Sequence, residues 1–138
     1  MGRVINPDSA GKERNRLAKS TVLALRELMK QTQPDDTSRD LAAYIALALQ
    51  AISETIETSV TAWEKKGYWL KADRFRMEWD WSARLGEQME KAVLAEDWGQ
   101  VALIAAQIGG KLSSVQVAER NRLGQPWVGA RQSLREKT

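Results

Sequence analysis

Apolar residues recur along this chain every three or four positions and almost nowhere alternate. From Leu41 through Ile45, Leu49, Ile52, Ile56 and Val60 to Trp63 they trace one unbroken helical stripe. Thr37 opens that segment with Asp40 three residues on, in the manner of a capping box, and Gly67 behind Lys65 and Lys66 supplies a left-handed end. Such a helix is roughly 45 Å long at ~1.5 Å per residue.

The same period predicts three further helices. Tyr68, Ala72, Phe75, Trp79, Ser82, Gly86, Met89 and Val93 step alternately by four and three, a heptad-like seam in which Ser82 and Gly86 let a neighbouring backbone come close. Upstream, Leu17, Val22, Leu25, Leu28 and Met29 mark a helix from about Pro7 to about Gln31, with Asn6 as its cap, Pro7 at its first position and Asp8 at its positive end. Turn chemistry in Thr32-Gln33-Pro34-Asp35-Asp36 breaks it. Downstream, Asp97 caps a helix expected from about Trp98 to about Arg122. Its inner surface reads Val101, Ile104 or Ala105, Ile108, Leu112 and Val115, beside a narrow strip of Ala102, Ala106 and Gly110. Gly124 and Pro126 stop it.

Four helices of similar length with short connections predict an all-α, antiparallel up-down-up-down four-helix bundle over residues 1–123, with a short N-terminal arm. Residues 124–138 read as a basic C-terminal tail, flexible or docked on a partner, with Trp127, Val128 and Leu134 as its large apolar side chains. On the helix 3 seam Trp81 falls out of phase and is expected exposed, whereas Trp63, Trp69, Trp79 and Trp98 are expected in the packing.

Composition changes this picture in two ways. The 138 residues, 43% hydrophobic with six tryptophans, suffice for one domain with a core of its own. They contain no histidine and no cysteine, which removes the usual proton shuttle, the thiol nucleophile and the commonest zinc ligands. The start has no apolar run of signal-peptide type, position 6 is Asn where myristoylation wants Ser or Thr, and no apolar stretch is of membrane-spanning length. A cytoplasmic protein without a membrane partner is expected.

Chemistry-bearing patterns are few. Glu54-x-x-Glu57 and Glu87-x-x-Glu90 resemble the paired motifs with which all-α nucleotide pyrophosphatases hold magnesium, but with the helix 2 seam set at Ile52 both Glu54 and Glu57 point outward, and the second motif ends in Glu rather than Asp. The hydroxyl run Ser53, Thr55, Thr58, Ser59 and Thr61 has no histidine base, and Gly109-Gly110-Lys111 lacks P-loop spacing. The reading is therefore non-enzymatic, with no cofactor and no metal.

Charge is the remaining signal. Residues 1–32 carry net +4, residues 120–138 net +4, and residues 33–119 net −5. On helix 1, Lys12, Arg16, Lys19, Arg26 and Lys30 form a row that can track phosphates, or be a solvated outer face. The pentapeptide Glu13-Arg14-Asn15-Arg16-Leu17 recurs as Glu119-Arg120-Asn121-Arg122-Leu123, and an up-down bundle would put both copies at one pole. Trp127, in the tail with Arg131 and Arg135, could stack on a base, fill a partner's pocket or fold back over the bundle end.

In size and plan the chain is similar to small helical subunits of CRISPR effector complexes and to bundle-type accessory proteins of some retroelements, which implies work inside a larger assembly. The expected function is an accessory subunit that binds an RNA or DNA backbone through Lys12, Arg16, Lys19, Arg26, Lys30, Arg120, Arg122, Trp127, Arg131 and Arg135. The alternative is a protein-protein scaffold or homo-oligomer whose basic ends dock on acidic helix 2 of a neighbour, at Asp35, Asp36, Asp40, Glu54, Glu57 and Glu64.

Overall fold

A computed structural model describes residues 7–137. Five helices follow one another, α1 (Pro7–Lys30), α2 (Asp36–Lys65), α3 (Trp69–Leu94), α4 (Trp98–Lys111) and α5 (Ala130–Lys137). The expected all-α up-down-up-down bundle is what forms, with α5 added to it. Asn6, the expected cap of α1, lies outside the described residues.

Helix α2 is the axis of the molecule. Leu41, Ile45, Leu49, Ile52 and Val60 of its stripe are fully enclosed and Ile56 nearly so. Its other faces carry Ala42, Ala43, Ala46 and Ala48, so α1 and α3 approach it closely from two sides. Antiparallel pairing shows in the cross-links: Ser20 and Tyr44 share a 2.7 Å hydrogen bond between α1 and α2, while Arg76 near the start of α3 pairs with Glu64 near the end of α2 at 3.6 Å. Gly86 marks a close approach between α2 and α3, where an added Cβ would stand 3.1 Å from Leu49 Cβ.

The turns are built by backbone geometry. After α2, Gly67 N–H donates to Glu64 O and Tyr68 N–H to Trp63 O, a Schellman closure with Gly67 at φ +82°. After α3 the same closure recurs, Glu96 N–H to Val93 O and Asp97 N–H to Ala92 O, but a glutamate occupies the left-handed position at φ 52°. Glu96 is held there by its side chain, which accepts from Arg39 Nε at 2.6 Å.

Four expectations need correction. Helix α2 starts at Asp36 with Asp35 as its cap, accepting from Ser38 N at 2.9 Å, so Asp40 is not part of a capping box. Helix α4 ends at Lys111, not near Arg122, because two adjacent low-propensity glycines in its last turn are followed by Ser113 and Ser114. Trp81 is 4% exposed and stacks on Trp79 at 5.6 Å, whereas Trp69, expected in the packing, is 61% exposed.

The fourth concerns the tail. Residues 130–137 are helical and lie in the groove between α2 and α3, beginning beside Asp40 and ending where Lys137 Nζ meets Gln50 Oε1 at 2.5 Å and Glu90 Oε1 at 2.6 Å. Trp127, Ala130 and Leu134 enter the core from this segment. Their spacing of three and four gives the segment an apolar face, and burying it outweighs the solvation of an otherwise polar stretch.

Candidate nucleic-acid interface

Helix α1 buries Leu17, Ala18, Ala24 and Leu25 against α2, which turns the opposite side outward. On that side Lys12, Arg16, Lys19, Arg26 and Lys30 are all exposed. Arg16 is braced by Glu13 (Nη2 to Oε1, 2.8 Å), whose hydrogen bond raises the guanidinium's pKa further. Lys30 pairs with Glu27 at 3.0 Å. Arg26 Nη1 donates to Val117 O at 3.3 Å, so this arginine also pins the irregular segment that follows α4.

Arg14, outside the expected row, faces inward. Its Nη2 donates to Ser59 Oγ at 2.7 Å and to Thr55 O at 3.2 Å, its Nε to Thr55 Oγ1 at 3.2 Å, and its guanidinium lies 4.7 Å from the centre of the Phe75 ring. Burial lowers its pKa, and the charge of Glu78 partly restores it. The hydroxyl run on α2 thus serves as a receptor for one arginine.

The two copies of the pentapeptide do not build a joint patch of four arginines. Arg14 is spent on α2, and the second copy lies in non-helical chain beyond Val117. There Arg120 and Arg122 are exposed, and Asn121 folds the backbone locally by donating to Ala118 O and accepting from Leu123 N. Arg131 is half-buried and Arg135 exposed on α5. Trp127, at 7% exposure, closes over the core, so of its three readings the structure has the fold-back one.

Four acidic residues of α2, Asp36, Asp40, Glu57 and Glu64, are engaged within the chain. Asp40 binds the backbone at the start of α5, Asp36 pairs with Arg39, and Glu57 and Glu64 face Arg76. Glu87 pairs with Lys91, and Glu90 with Lys137. Among the described residues no group of three or more acidic side chains gathers as a cation site, and no helix is long and apolar enough to cross a membrane.

Two concavities among the described residues bear on a binding surface. A groove of about 620 Å³ runs between the end of α1, the α1–α2 connection and α4, with Leu25, Leu28, Trp98, Val101 and Ala105 along it and Met29 on its rim at 84% exposure. A shallow, open cleft of about 720 Å³ lies at the opposite pole, at the α2–α3 turn. Sequence reasoning missed this second place because it put Tyr68 and Trp69 into the helix 3 packing. The signal was there in Gly67: a closure at that residue throws the next three side chains onto the pole. No protein-family model, no curated protein and no solved structure matches the chain.

Proposed function

We propose that the protein is a non-enzymatic accessory subunit that binds a nucleic-acid backbone through the outer face of α1. The observation that carries this reading is the solvent exposure of the whole row Lys12, Arg16, Lys19, Arg26 and Lys30 on one helix of 24 residues. Cations spaced along a rod about 35 Å long match the repeated charge of a phosphate chain and read charge and shape, not sequence. Arg120 and Arg122 extend the basic surface from the segment that Arg26 ties to α1. Trp127 has no part in it.

Titrating labelled RNA and DNA at two salt concentrations tests the reading. Affinity falls steeply with salt, and Lys19→Glu combined with Arg26→Glu flattens the slope by about one for each lost contact. Absence of binding at low salt would sink it.

A protein-protein role is the second reading, favoured by the apolar groove between α1 and α4. Its original form, basic ends docking on an acidic helix 2, fits less well because α5 already occupies that role within one chain. Light scattering that finds only monomer at high concentration would count against self-assembly.

A further inference from the structure

The cleft at the α2–α3 turn has a chemistry that the row on α1 lacks. Its walls include Trp63, Phe75, Tyr68 and Trp69, its cations are Lys71 and Arg74, and Glu78 is the acid among its lining residues. Tyr68, Trp69 and Leu70 are 54, 61 and 64% exposed, side by side on one pole. Lys65 and Lys66 stand exposed at the end of α2, just before the turn.

From this placement we infer that the cleft holds an unpaired base of a single-stranded nucleic acid, stacked on Trp69 and Tyr68, with the flanking phosphates on Lys65, Lys66, Lys71 and Arg74. Planar aromatic faces combined with ammonium and guanidinium groups are the recurring means of holding single strands without reading their sequence. Lys71 already shows the geometry, with its ammonium 4.4 Å from the centre of the Trp63 ring. Tyr68 places no side-chain cap on α3, and the first turn of α3 carries no acid, so the positive helix end adds to the attraction for an anion.

Continuity with α1 argues for a strand over other anionic partners. Arg14 reaches from α1 onto Phe75, in the wall of the cleft, so the N-terminal part of α1 packs beside it, with the cation row on the other side of that helix. A strand held on Lys19, Arg16 and Lys12 has to pass round α1 to reach the turn, which a flexible single strand can do and a stiff duplex cannot. The cleft can receive a ring between its aromatic walls, and vesicles containing phosphatidylserine serve as the control for a lipid surface. The inference rests on the backbone-binding reading and narrows its ligand from any nucleic acid to one with unstacked bases.

The experiment uses the full chain and labelled oligo(dT), oligo(U) and a duplex, each of roughly 16 nucleotides or base pairs, the upper site size of a single-strand-binding fold. Trp69→Ala is expected to weaken both single strands about tenfold or more, to leave the salt slope unchanged and to spare the duplex. Trp69→Phe keeps most of the affinity, and both variants melt like the parent because the side chain lies outside the core. Lys19→Glu with Arg26→Glu weakens single strand and duplex together. Equal loss on duplex and single strand, or no loss on either, overturns the stacking cleft and leaves the α1 reading standing. No binding of any nucleic acid by the parent protein overturns both. A Trp69→Ala effect confined to vesicles containing phosphatidylserine would reassign the cleft to a lipid surface.

Discussion

Asp40 of α2 caps a helix that begins ninety residues later, its Oδ1 accepting the Arg131 amide at 3.0 Å and its Oδ2 that of Gly129 at 3.1 Å. Tertiary capping of this kind fixes where α5 starts and which groove it enters. Asp40→Ala is expected to cost about 1 kcal/mol, with Asp40→Asn retaining most of the contact. Amide exchange over residues 129–137 should accelerate in the alanine variant before the rest of the chain is affected. Unchanged exchange there would contradict the cap.

Removing residues 124–138 follows from the same contact and goes further. Trp127 and Leu134 leave the core with that segment, at 7 and 0% exposure, and α2 and α3 lose their cover. Losses for a buried tryptophan and leucine run to about 3 kcal/mol or more, so the melting temperature is expected to fall by about 10 °C or more. A truncated protein that melts with the parent would show the tail to be dispensable.

Arg14 and Arg16 stand two residues apart and are expected to part company on mutation. Arg14→Ala breaks three hydrogen bonds to Thr55 and Ser59 and should cost about 2 kcal/mol in urea unfolding. Arg14→Lys should recover less than half of this, since an ammonium lacks the planar fork that spans both residues. Arg16, half-exposed and paired with Glu13, should on replacement by alanine change stability by a few tenths of a kcal/mol and act on nucleic-acid affinity instead. A stability ranking in the reverse order would be incompatible with this division of roles.

The bundle could be read from the sequence because its main stripe is long, and six of the seven seam residues from Leu41 to Val60 and Trp63 are buried with the seventh half-buried. The elements that escaped are short or polar. In and just before α5 the pattern Trp127, Ala130 and Leu134 covers about two turns of helical phase, too brief to stand out from Arg131, Arg135 and Lys137 around it. Trp81 escaped for another reason: it stacks on the ring of Trp79, two residues away, a contact that a single seam of steps of three and four does not describe. The cation row on α1 was legible since it is the complement of the buried face. The aromatic turn was not, because its exposure depends on how Gly67 aims the chain.

Glycine substitutions separate close packing from open helix. At Gly86 a Cβ would meet Leu49 Cβ at 3.1 Å and Ala46 O at 3.4 Å, atoms that sit on or next to the α2 backbone and cannot swing away. Gly86→Val is expected to destabilise by about 2 kcal/mol through forced separation of α2 and α3. Gly110 has nothing within 4 Å, so Gly110→Ala is expected to stabilise α4 by about 0.5 kcal/mol through helix propensity alone. Thermal melts of the two single variants decide the matter, and a stabilising valine at position 86 would refute the close approach.

Acid stability tests the anchor at the far end of α5. Burial pushes the Glu90 carboxyl up, but hydrogen bonds from Gln50 (3.0 Å) and Lys137 (2.6 Å), with the charges of Lys137 and Lys91, outweigh it and hold the group below the usual glutamate value. A carboxyl depressed in the folded state binds its proton more weakly than in the unfolded chain. Its contribution is therefore complete above the unfolded value, about 4.3, and disappears as pH falls through the lower folded value. Glu90→Gln should be less stable than the parent near neutral pH, with the gap closing as the solution is acidified below about pH 4. Asp35 and Glu96, lowered by the Ser38 amide and by Arg39 respectively, titrate in the same direction but are common to both proteins and cancel in the difference. A gap between parent and variant that stays constant across this range would mean that Lys137 does not seek the Glu90 charge.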